Sequence, residues 1–124
     1  MKLETAKRLL DAKNACSEIV QYIAGKGREE FLADRDLQLI TQALLTIVGE
    51  ALNQARKLDH TLERRVPEIH SIVGMRNRIA HVYDDIDYGL LWLVASTQVQ
   101  GLSSALDELL RDAPDPNEGI ATNE

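Results

Sequence analysis

The chain has one cysteine, few aromatic residues and no long apolar run, and each shortage removes a class of protein. With Cys16 alone among 124 residues, no intramolecular disulfide can form, and no Cys/His spacing fits a zinc site. Aromatic residues make up 4% of the chain, and 7 glycines with 3 prolines are too few turn formers for a β-sandwich or barrel. Uninterrupted apolar stretches last only a few residues, far short of the about 20 that a membrane span needs. The start, Met1 to Arg8, carries charge where a secretory signal would be apolar. The expectation is a cytoplasmic chain with no membrane association. One domain suits this length, and it should bury roughly two-thirds of the surface its unfolded chain exposes.

Positive charge is also scarce, with 14 basic against 20 acidic residues and a net charge of −6. The distribution matters more than the total. Residues 56–81 hold Arg56, Lys57, Arg64, Arg65, Arg76 and Arg78 against Asp59, Glu63 and Glu68, a local balance of +3. All three histidines, His60, His70 and His81, fall in the same segment. A basic segment in an acidic chain can attract a polyanion while the total charge aids solubility. Arg64 and Arg65 fit equally well as residues that solvate a loop.

What is present is helical periodicity. Ala6, Leu9, Leu10, Cys16, Ile19, Val20 and Ile23 recur at three- and four-residue steps, predicting a helix from about Thr5 to Ala24 that stops at Gly25. Cys16 falls on its apolar face as a small core residue. Asp34 is a good N-cap for a second helix running through Leu37, Leu44 and Leu52 toward Lys57. Residues 58–66 read as a loop or short helical turn. Val66-Pro67 opens a third helix, since proline is favoured at the first helical position. Asp87 is placed to cap a fourth helix, which carries Leu91, Trp92, Val99 and Leu106 and ends near Arg111. The expected fold is all-α, an antiparallel bundle of about four to five helices over residues 1–112. Residues 113–124, with Pro114 and Pro116, form an acidic tail expected to be disordered. Trp92 is expected in the core or an interface between chains, and His60 and His70 on the surface.

The segment Gly74 to Asp85 concentrates the polar chemistry. It holds Arg76, Asn77, Arg78, His81, Tyr83, Asp84 and Asp85. Asn77 and His81, four apart, share a helix face, whereas Arg76 and His81 stand about 140° apart on an ideal helix. They converge only if the helix ends or bends near Ala80, or if a second chain completes the site. Arginine presents a charged planar fork that suits phosphate, and histidine gains or loses a proton near neutral pH. Together they suit phosphodiester cleavage without a metal or other cofactor. The residues equally fit a structural reading, with His81 capping the helix and Arg76 paired to Asp84 or Asp85. Glu50, inside the second helix beside Gly49, sits at the core edge or pairs with a cation, because a buried lone carboxylate is costly.

Arg76-x4-His81-x-Tyr83, with Asn77 after the arginine, resembles the signature of the HEPN superfamily in the form found in HepT-like toxins of bacterial and archaeal toxin–antitoxin modules. The Ile47-Val48-Gly49-Glu50-Ala51 run, Pro67, Gly74 and the Asp85 to Trp92 stretch extend the resemblance over about residues 5–110. It implies a homodimer whose motifs face one cleft, acting as a metal-independent ribonuclease on cellular RNA. By that likeness Arg76 contacts phosphate and His81 moves the proton or activates the ribose hydroxyl. Asn77 orients His81 or binds phosphate. From its position, Glu50 stands as a supporting residue that ion-pairs with an arginine across the bundle or dimer, and Arg78 either extends the phosphate-binding cleft or, two residues from Arg76, points elsewhere on the surface. Tyr83 matches the tyrosine to which a minimal nucleotidyltransferase (MntA-like) antitoxin adds AMP; otherwise it packs on the bundle. The alternative implied by the same resemblance is a non-catalytic HEPN module that binds nucleotide or docks a nucleotidyltransferase.

Overall fold

A computed structural model describes residues 1–81 and 85–115. They form seven helices and, among the described residues, no strand: α1 (Leu3–Ile23), α2 (Arg28–Ala33), α3 (Arg35–Leu58), α4 (Leu62–Arg65), α5 (Glu68–His81), α6 (Tyr88–Thr97) and α7 (Val99–Arg111). The all-α expectation holds. Residues 116–124, most of the expected acidic tail, lie outside the described residues.

Local chemistry sets most boundaries as the sequence predicts. Gly25 takes φ +74°, the left-handed conformation that turns the chain away after α1. The Asp34 carboxylate accepts the Leu37 N–H at 3.0 Å, and the Asp87 carboxylate accepts the Leu90 N–H at 3.0 Å. Pro67 directly precedes α5.

Two features differ from the expectation. The first is α2, whose six residues are too few to show a period. It is held by its buried residue, Phe31, whose ring centroid lies 5.3 Å from that of Trp92. Gln38 Nε2 donates to the Phe31 and Leu32 carbonyls at 3.1 and 3.0 Å, satisfying groups that the short helix leaves open. Phe31→Ala should therefore destabilise the fold by about 3–5 kcal/mol in a urea titration. The second is a break at Gln98 in the expected fourth helix. Ser96 Oγ donates to the Trp92 carbonyl at 2.7 Å and Thr97 Oγ1 to the Leu93 carbonyl. Such back-bonding competes with the backbone ladder and bends helices.

In the bundle α1 and α3 pack together, with α5 against α3 and α7 against α1. Leu9 and Ile19 of α1, Leu45 and Leu52 of α3, Ile69 and Ile72 of α5, and Leu102 and Leu106 of α7 are fully buried. Each contributes about 1.5–3 kcal/mol by leaving water. Lys13 on α1 reaches Asp107 on α7 at 3.1 Å across the exposed seam. Cys16 is fully buried, and burial pushes its thiol pKa up to about 12. The thiol stays protonated, so a thiol reagent at pH 8 should leave native protein unlabelled and label one equivalent in denaturant.

Candidate active site

The residues of interest stand on the last two turns of α5 and the middle of α3. On α5 the buried positions Ile69, Ile72 and Val73 recur at helical spacing, and Arg76 is the next position on that stripe. Its stem is thereby carried against α3. The approach is close: a Cβ on Gly49 would lie 2.3 Å from Arg76 Cβ and 2.8 Å from Cγ. Only a residue without a side chain lets the arginine pass at that point.

Beyond Gly49 the guanidinium meets Glu50, with Arg76 Nη2 2.6 Å from Glu50 Oε2. Gln54, one turn along α3, donates Nε2 to Glu50 Oε1 at 3.2 Å. Arg76 Nη1 donates to Asn77 Oδ1 at 3.1 Å. A chain of polar contacts therefore runs from Gln54 through Glu50 and Arg76 to Asn77. Arg76 Nε is buried with no hydrogen-bond acceptor among the described residues. The structural reading of the motif needs correction here: Arg76 pairs with Glu50, not Asp85, because its helix face is turned to α3. Asp84 lies outside the described residues.

His81 is the last residue of α5 and is exposed. The helix ends one residue past Ala80 and includes both Arg76 and His81, which an ideal helix sets about 140° apart around the axis. Asn77 shares the exposed face with His81, and Arg78 is exposed on the flank. Tyr83 lies outside the described residues.

The other cations of the basic segment are dispersed. Arg56 donates Nε to Asn53 at 2.9 Å and lies 3.6 Å from Glu63. Arg64 and Arg65 are exposed on α4, and His60 and His70 are exposed as expected. Sequence reasoning gave no role to Gly49 or Gln54. A glycine in a helix interior, which costs about 1 kcal/mol against alanine, was the available signal for the first. Gln54 had none, since its task depends on where Glu50 points.

The described residues define an all-helical protein with an arginine and a histidine on α5, the arginine held by a carboxylate from α3. The family described as Ribonuclease HepT-like matches residues 12–109, and the chain belongs to that family. Curated relatives agree. A Thermococcus cleftensis protein named provisionally as ribonuclease HepT is 26% identical over 88% of this chain and 98% of its own. A Methanocaldococcus jannaschii protein named provisionally as an RNase is 22% identical over 84% of this chain and 89% of its own. Another so named, from Caldanaerobacter subterraneus subsp. tengcongensis, is 26% identical over 77% and 85%. No solved structure matches. Among the described residues no helix is long and apolar enough to cross a membrane.

Proposed function

We propose that the chain is the metal-independent ribonuclease toxin of a prokaryotic toxin–antitoxin module, acting on cytoplasmic RNA. The observation that carries this reading is Arg76-Asn77-x3-His81, intact on α5 of a HepT-like chain. His81 accepts the proton of a ribose 2′-hydroxyl, whose oxygen attacks the adjacent phosphorus. The bond to the 5′-oxygen breaks and that oxygen takes up a proton, leaving a cyclic phosphate and a 5′-hydroxyl end. Arg76 offsets charge gathering on the phosphorane oxygens, and Asn77 orients the reacting groups. Residues 1–112 carry this activity and 113–124 are a tail.

A homodimer brings one chain's Arg76 toward the other's His81. Supporting it, Leu39, Ala43 and Ile47 stand at four-residue steps on the exposed side of α3, with Leu39 45% and Ile47 50% exposed, and the stripe leads to Glu50. Light scattering should give twice the chain mass of 13.9 kDa at micromolar concentration; a monomer would remove this element. The neutralising partner is a nucleotidyltransferase that adds AMP to Tyr83, placing phosphate beside the cleft and repelling RNA. Incubation with the antitoxin and ATP should raise the intact mass of wild type and not of Tyr83→Phe.

A second reading is a non-catalytic module that binds nucleotide or docks the nucleotidyltransferase. It is favoured by one observation: in a single chain the Arg76 fork is engaged by Glu50 and Asn77. Expression without the antitoxin separates the two. Slowed growth that His81→Ala relieves supports the ribonuclease, and equal effects of both chains support the module.

A further inference from the structure

The groove between α5 and α6 holds two hollows, both lined by Met75, Arg78 and Leu90. The larger hollow, about 270 Å³, is lined by His70, Ser71, Gly74, Met75, Leu90 and Val94 together with Arg78. Its floor is apolar, and its rim offers a guanidinium, an imidazole and a hydroxyl. Among the described residues no carboxylate lines it, although acids outnumber bases in this chain. The smaller hollow, about 110 Å³, is different: Asp85 and Asp87 stand on its wall.

Two further observations single out the larger hollow. His70, Gly74, Asn77 and His81 follow one another at steps of four, three and four residues, so they share one exposed face of α5. That face spans about 16 Å at 1.5 Å per residue, enough for several nucleotides at a stacked spacing of about 3.4 Å. Gly74 is the second. A Cβ there would meet nothing within 4 Å, so helix packing gives no reason for a glycine in mid-helix, in contrast to Gly49. Gly74 lines the hollow, so a longer side chain at this position has open space to extend into.

We propose that this groove is the track for the RNA strand flanking the scissile phosphate. A base lies on Met75, Leu90 and Val94, and the strand's phosphates meet Arg78 and the His70–Ser71 rim. This rests on the ribonuclease reading, with His81 at the catalytic end of the track. The occupant is a single strand, because flat apolar contact with a base requires an unpaired one. The acidic wall of the smaller hollow repels phosphate, so the strand follows the outer face of α5 toward His70.

The test uses the full chain, with a ten-nucleotide single-stranded RNA, a dinucleotide and a 2′-O-methyl decamer that cannot be cleaved. Gly74→Gln fills the hollow and should fold with an unchanged or higher melting temperature, since glutamine is the better helix former. Both Gly74→Gln and Arg78→Gln should raise KM for the decamer roughly tenfold, with a smaller penalty on the dinucleotide, which does not reach the hollow. Arg78→Gln should also lower the slope of log affinity against log salt by about 0.7 for the 2′-O-methyl strand. Arg64→Gln, an exposed cation on α4, controls for bulk charge and should keep the wild-type KM. If wild type cleaves the decamer and both groove variants keep its KM, the track is overturned while the ribonuclease reading stands. If wild type cleaves no RNA but both variants still weaken binding of the 2′-O-methyl strand, the track stands and the ribonuclease reading fails. Absence of both cleavage and binding overturns both.

Discussion

Replacing His81 with alanine should lower RNA cleavage by about 10²- to 10⁴-fold, the span that a positioned acid or base contributes. Arg76→Ala should cost about 10²- to 10³-fold, the scale of losing one donor that meets developing charge. His81 is exposed at the end of α5, so its loss leaves the core untouched and the melting temperature close to wild type. Arg76→Ala removes the partner of Glu50, but the Glu50 side chain is 45% exposed and water takes over its hydration. The comparison is made in excess chelator, on chains whose intact mass shows no AMP. Cleavage by wild type alone, leaving cyclic phosphate ends, is the expected result. Equal cleavage by all three chains would place the activity elsewhere or in a contaminant.

The second large effect is expected at Gly49. In an open helix interior Gly→Ala stabilises by about 1 kcal/mol. Here the sign should reverse, because the new methyl would stand 2.3 Å from Arg76 Cβ with the Ile72 carbonyl oxygen at 3.4 Å. The atoms in the way belong to the root of a side chain on a packed helix, so α5 must shift or Arg76 must change rotamer. Overpacking of this kind costs about 1–3 kcal/mol. A displaced guanidinium should also lower kcat/KM by about 10²-fold, the usual consequence of misplacing a reacting group by about 1 Å. Urea titration and cleavage kinetics on Gly49→Ala measure both. An unchanged or raised stability would mean that α3 and α5 do not approach each other as closely as described.

Both predictions draw on features that were unequally legible. Arg76, Asn77 and His81 stood out as residue types in a pattern, and Glu50 as a charge inside an apolar run. That Glu50 pairs with a cation was legible, and it does; that the cation is Arg76 was not, nor that Asp85 is not its partner. A helix wheel places Arg76 next on the stripe of Ile69, Ile72 and Val73, but it does not say which helix that stripe meets. α2 escaped notice because six residues complete fewer than two turns, and its anchor, Phe31, is buried against Trp92 from a distant part of the chain.

The sequence by itself determined the all-helical class, the starts of α3 and α6, and the stop after α1. Each of these depends on contacts within one or two turns: the apolar period, the Asp34 and Asp87 caps and the positive φ of Gly25. Tertiary structure alone decided the break at Gln98, the close pass at Gly49, the Gln54–Glu50–Arg76–Asn77 chain and the groove beside Arg78. Those depend on which faces of α3, α5 and α6 meet and at what distance. Burial of the whole core selects that arrangement, and no local interaction encodes it.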